Sequence, residues 1–359
     1  MSRPLFFVHR QSRKSVLFLF LSVLFFSLAA LPFYAGGTRS AAPADDGMPV
    51  LRVYTYDSVS GSVRRDMAAR FEELYQARLE FEQPGDTGAL FTRLYLERSN
   101  PRADVFVGLD QTYLHRVVRD TLTVPYRPES FVPAIPELMV DPEFRVVPFD
   151  YGYITLNYDS QNFDGPLPET WQDLTDSRFA RSIIMLNPAT SSPGRNFMLL
   201  TIAAMGEEGF LDFWRQVKPN ILTVTGGWSE GYGLYTQGEA PFVVSYDTSP
   251  AYHRIFEETD RYRSLPLEGQ GYLQVEVAGI VRGTSQVELA QKFIDLLLSP
   301  EIQELLPLSQ FMYPAQAGIP LPDDFENTRQ PITRPMMVDS QRVAEAFETW
   351  LERWEEVMR

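Results

Sequence analysis

From Leu51 onward the chain alternates short β-prone runs with amphipathic segments, and this alternation narrows its possible folds more than any other feature. LRVYTYD reads as a strand. Within residues 62–75, Val63, Met67, Phe71 and Leu74 recur at spacings of 4, 4 and 3, the period of one helical face. LEFEQPG predicts a second strand, residues 89–98 a second helix, and ADVFVGLD a third strand, apolar enough to be buried on both faces. Strand and helix in regular succession predict an α/β fold built on a parallel sheet.

A second α/β series opens with VVPFDYGYITLNYD, a long β-prone run of the kind that crosses between lobes. It continues through SIIMLNP, a helix after Pro193, ILTVT, a helix after Trp228, and PFVVSYD, after which YLQVEVAGIV reads as a returning strand. Ala290, Phe293, Ile294 and Leu297 make one helical face, and Ser299-Pro300 opens the next helix with a capping serine and a proline at its first position. The last helix carries Val343, Phe347, Trp350, Leu351, Trp354 and Met358 on one side. Two α/β units exceed what one core usually takes. We therefore expect two lobes, residues 49–149 with 272–322 and residues 150–271 with 323–359, and a ligand cleft between them.

Ahead of the folded part, Arg3, Arg10, Arg13 and Lys14 precede an uncharged run over residues 15–37. Basic then apolar is the order of a secretory signal, and the run is also long enough for an uncleaved membrane anchor. Either reading of residues 1–37 places the rest of the chain outside the inner membrane, with residues 38–48 (TRSAAPADDGM) as a linker. The chain has no cysteine, which excludes a disulfide framework and a lipid-bearing cysteine. The net charge is −15, and the first 50 residues hold five basic and only two acidic groups, so the remainder is more acidic still. Nucleic acid is excluded as a partner on this ground. A cationic solute is favoured, though weakly, because many soluble proteins are acidic.

Gly227-Trp228-Ser229-Glu230-Gly231 matches the nucleophile elbow of serine hydrolases, between a strand and a helix. A triad would have to use His253, with Asp247 six residues before it, and no HGGG-like oxyanion loop is present. His9 lies in the N-terminal segment, which leaves His115 and His253 with no H-E-x-x-H helix; Tyr246, Asp247 and Tyr252 are of the types that bind ferric iron. A Walker loop is absent and no cofactor is implied. Thr190-Ser191-Ser192-Pro193-Gly194 predicts a helix start with Ser192 as its cap, where exposed amides suit an anion. Trp228 is placed at another helix start, either in the core or stacked on a flat ligand.

The strings VYTYDS (53–58), ADVFVGLD (103–110), VPFDYGY (147–153), TSSPG (190–194), VTGGWSEGYGLY (224–235), SYDTSPAYH (245–253), GYLQVEVAG (271–279), ELAQKFIDLLLSPEIQ (288–303) and MYP (312–314) together resemble the periplasmic thiamine-binding proteins of ABC importers. They keep that family's order over residues 51–355. The resemblance implies a type II periplasmic-binding fold, no enzymatic activity, a monomer, and delivery of thiamine or its mono- or diphosphate to an inner-membrane permease. It implies a phosphate end on the Asp86-Thr87 amides, Ser191 and Ser192. Trp228 and the run Tyr246, Asp247, Thr248, Ser249 and Pro250 complete the pocket, with Tyr56 and Tyr252 as ring neighbours. Phe311 stands where a tryptophan commonly precedes Met-Tyr-Pro, Asp247 replaces a threonine and Thr87 a glycine. Asp247 would repel a phosphate and attract a thiazolium, which shifts the expected preference toward unphosphorylated thiamine. The thiaminases of this fold attack with a cysteine, which the chain lacks. Ferric iron, a polyamine, or hydrolysis at Ser229 are the alternatives.

Overall fold

The structure is a computed structural model that describes residues 47–323, 325 and 331–359. The predicted signal or anchor, and all but the end of the predicted linker, lie outside the described residues. The first α/β series forms as its pattern predicts: β1 (Val50–Thr55), α1 (Gly61–Tyr75), β2 (Arg78–Glu82), α2 (Thr87–Glu97), β3 (Val105–Asp110), α3 (Leu114–Arg119) and a short β4 (Thr123–Val124). The second comprises β5 (Val147–Asp159), β6 (Ile183–Leu186), α4 (Ser192–Val217), β7 (Ile221–Thr225), α5 (Trp228–Thr236), β8 (Phe242–Tyr246), α6 (Pro250–Glu257) and β9 (Tyr262–Leu265). β10 (Gln270–Val281), α7 (Val287–Leu297) and a C-terminal helix, Ser340–Met358, follow. Among the described residues no helix is long and apolar enough to cross a membrane.

The principal strands run in the order β2-β1-β3-β10-β5-β8-β6-β7. Pairing is parallel within β2-β1-β3 and within β8-β6-β7, as the alternation predicts. The middle departs from it: β10 is antiparallel to β3 and to β5, and β5 is antiparallel to β8. The antiparallel placement of these two longest strands rules out a wholly parallel sheet. Every residue of β10 is buried.

Apolar burial on either side of this seam is separate. One cluster packs α4 and the C-terminal helix against β5, β6 and β8, through Trp214, Phe347, Trp350 and Trp354. On the far side, α1 and α7 supply Met67, Phe71, Phe293 and Leu297 to one face of the β1–β3 region, while α2 and α3 supply Leu90, Phe91 and Val117 to the other. The α1 stripe stops one turn early, since Leu74 is exposed while Val63, Met67 and Phe71 are buried. The helix ends there, with Gln76 in the left-handed region as its C-cap.

Gly108 in β3 has φ +101°, and a Cβ there would lie 1.9 Å from the Tyr56 ring. Backbone and ring therefore pack together only because this residue has no side chain. Gly108→Ala is expected to cost about 2–4 kcal/mol, read as a lower urea midpoint at an unchanged slope.

Candidate functional site

A cavity of about 450 Å³ opens between the two sides of the seam. Its first wall is made by Trp228, the first residue of α5, and Tyr232 one turn later, with rings stacked at 4.8 Å and 18°. The indole N–H donates to Ser245 Oγ (2.9 Å), and Ser245 and Ser249 share a hydrogen bond of 2.7 Å, so the ring plane is fixed from behind. Tyr252 on α6 meets Phe311 edge-on at 5.3 Å on the opposite side. Tyr252 is 42% exposed and its neighbour Phe256 58%. Aromatic faces of this kind favour a flat or cationic guest.

The floor is polar. Glu276, in the middle of β10, accepts from the Tyr56 hydroxyl (2.7 Å), the Tyr246 hydroxyl (3.1 Å) and Gln274 Nε2 (3.0 Å). Gln310 donates to the Tyr56 oxygen (2.7 Å), and Asn196 of α4 holds the Gln274 carbonyl (2.7 Å). Burial pushes the Glu276 carboxyl up to about 7, although the two tyrosine hydrogen bonds pull the other way. Behind it Asp150 is wholly buried with neither oxygen hydrogen-bonded, and burial followed by the charge on Glu276 drives it well above the ordinary carboxylate range. On the side wall His253 bonds Tyr232 through Nε2 (3.0 Å) and Glu257 through Nδ1 (2.6 Å), and burial lowers its proton affinity.

Of the residues expected at the site, Tyr56, Trp228, Tyr246, Ser249, Tyr252 and Phe311 line the cavity. Asp247 does not: its carboxylate accepts from the Tyr153 amide and the Tyr313 hydroxyl (both 3.1 Å), inside the protein. The preference argued from its charge therefore loses its basis. Thr248 is buried, and Pro250 starts α6. Asp86 and Thr87 lie apart from the cavity lining, because the Asp86 carboxylate caps α2 through the Thr87 amide (2.6 Å) and also takes the Trp228 amide (3.1 Å). Burial raises the Asp86 carboxyl to about 6.

The cap of α4 shifts by one residue, to Ser191, and Ser192 is the first helical residue, its hydroxyl donating to Asp110. The Ser191 hydroxyl is buried without a partner. Ser229 is exposed, while His253 is engaged by Tyr232 and Glu257, so the elbow motif is not assembled into a triad. Of the three residues of iron-binding type, Tyr246 and Tyr252 line the cavity while Asp247 is turned away from it toward Tyr153 and Tyr313. Glu276, Tyr232 and Glu257 were missed. The signal for Glu276 was an isolated acid inside the apolar run YLQVEVAGIV.

Residues 100–343 match the sequence model of the bacterial extracellular solute-binding proteins. The chain belongs to this family. It is 34% identical over 337 residues to the thiamine-binding periplasmic protein of Brucella abortus, covering 93% of this chain and 97% of that one. With the thiamine-binding periplasmic protein of Salmonella typhimurium it shares 35% identity over 317 residues, 88% of this chain and 95% of the relative. A solved periplasmic thiamin binding protein superimposes with a TM-score of 0.80 at 33% identity, covering 87% of this chain and 97% of the other. The fold is thus the type II periplasmic-binding fold.

Asp150 carries a measurable penalty. Its folded value lies above its unfolded value, so the protein loses stability as pH rises between the two. Asp150→Asn cannot ionise in the unfolded chain and is expected to raise Tm by roughly 2–4 °C at pH 8. The gain should shrink as pH falls through 4 and vanish below about pH 3, where the unfolded aspartate is itself protonated, and calorimetric scans at pH 8 and pH 3 check both.

Proposed function

We propose that this solute-binding protein captures thiamine in the cavity over Glu276 and hands it to an ABC permease in the inner membrane, working in the periplasm as a monomer. The observation that carries the reading is a buried carboxyl group held by two tyrosine hydroxyls, beneath aromatic walls, with no lysine or arginine among the described residues that line the cavity. Thiamine offers a flat aminopyrimidine and a cationic thiazolium, and each ring well placed over the cation contributes roughly 0.5–2 kcal/mol once water is excluded. The names of the relatives support the ligand independently of the geometry.

Closure follows from the same layout. We take residues 49–149 with 272–322 as one lobe and 150–271 with 323–359 as the other, a reading supported by the largest apolar clusters, although Ala251, Tyr313 and Phe325 pack together across the boundary. Tyr56 and Phe311 then come from one lobe and Trp228, Tyr246 and Tyr252 from the other, so a ligand touching both favours the closed state. The resemblance puts a phosphate end at Ser191 and Ser192, where the carboxylates of Asp86 and Asp110 already hold the Thr87 amide and the Ser192 hydroxyl. Unphosphorylated thiamine is therefore the preferred ligand, ahead of the mono- and then the diphosphate.

Calorimetric titration of protein unfolded and refolded to strip carried-over ligand should give one-to-one binding in that order, with quenched tryptophan fluorescence. Glu276→Gln is expected to weaken thiamine about 10–100-fold, the worth of a charge-assisted contact. Tighter binding of the diphosphate would reverse the ranking, and equal affinity for spermidine would remove thiamine as the ligand.

A further inference from the structure

Three carboxylates share one rung of the sheet. β10 sets Glu276 opposite Asp110 of β3 on one side and opposite Asp150 of β5 on the other. Residues opposed in neighbouring strands project to the same face. Asp110 and Asp150 are wholly buried and Glu276 is 4% exposed. Their partners are neutral: the Thr112 amide and Ser192 hydroxyl for Asp110, Tyr56, Tyr246 and Gln274 for Glu276, and none for either oxygen of Asp150.

Buried like charges at this spacing do not all ionise. Asp150, without a single donor, is the member that must stay neutral. Asp110 accepts from two donors. Glu276 sits between these limits and alone reaches the cavity. The other titratable groups facing it are Tyr56 from the β1–α1 turn and Tyr246 from β8, both held protonated by burial, with Asp86 beyond Tyr246. Tyr232, Tyr252, His253 and Glu257 stand on the cavity walls.

We infer that the empty site stores a proton on Glu276 and that capture of an organic monocation expels it, while Asp150 keeps its own proton in both states. The inference rests on the thiamine reading above. The O–H bond of the Glu276 carboxyl breaks, the electron pair stays on the carboxylate, and the proton leaves to solvent as the cation enters. The charge of the site is the same before and after. Asp150 touches no ligand and acts as a positioning residue, since its neutrality leaves room for one negative charge beside it. Acidification then competes with capture, because a protonated Glu276 has to be emptied first.

The test is calorimetric titration of the full-length chain with thiamine between pH 6 and pH 8, in pairs of buffers with different ionisation enthalpies. The wild type should release about half to one proton near pH 7, with Kd rising toward tenfold per pH unit on the acid side. Glu276→Gln should release none and show a flat profile, whereas Asp150→Asn should keep the release. Tyr246→Phe removes a donor to the charged form and should shift the profile to higher pH, which serves if Glu276→Gln does not fold. Thiamine binding without proton release in the wild type would overturn this inference and leave the functional reading standing. Loss of the release in Asp150→Asn would also overturn it, by moving the proton to the other carboxyl. Failure to bind thiamine at every pH would overturn both readings.

Discussion

A carboxylate in the middle of a fully buried strand needs donors that water can no longer supply, and at Glu276 those donors come from separate parts of the chain. Tyr56 follows β1, Tyr246 ends β8, and Gln274 is steered by Asn196 on α4. The hydrogen bonds to one side chain thus tie together regions whose apolar cores are distinct. All three donors are uncharged, whereas an arginine or lysine would neutralise the carboxylate. The aromatic walls add area and shape, and the indole of Trp228 is oriented by Ser245 before any guest arrives.

A second carboxylate joins the two sides differently. Asp86 accepts from the Thr87 amide at the start of α2 and from the Trp228 amide at the start of α5. Both helix termini present their free N–H groups to the same anion, an arrangement favoured by the helix dipoles. Gly227 makes this approach possible, since a Cβ there would lie 2.7 Å from an Asp86 oxygen. The Gly88 amide reaches the Thr190 carbonyl nearby (2.9 Å).

Much of this was legible in the sequence. β-prone apolar runs located β1 to β3, β5 and β10, and the faces of α7 and the C-terminal helix were read residue by residue. The resemblance located Trp228, Tyr246, Tyr252 and Phe311, whose rings do meet at the cavity. Direction was harder to read than position. Asp247 lies next to Tyr246 and points the opposite way, because adjacent residues leaving a strand project to opposite faces and Tyr313 claims its carboxylate. Glu276 escaped notice for the converse reason: an acid alternating with valines reads as the solvent side of a strand, and only the sheet order shows that both faces are covered. The antiparallel pairing of β5 with β10 is likewise a long-range fact with no local signature.

That pairing has a mechanical meaning. β5 and β10 run side by side through the middle of the sheet, joined by a ladder from Tyr272–Ile154 to Ala278–Val147. A single connecting strand would let the halves swivel about its bonds in any direction. A hydrogen-bonded ribbon two strands wide flexes out of its plane but resists shear within it, so relative displacement is reduced to nearly one coordinate. Few orientational states then have to be searched after first contact with a guest, and little orientational entropy is lost on seating it.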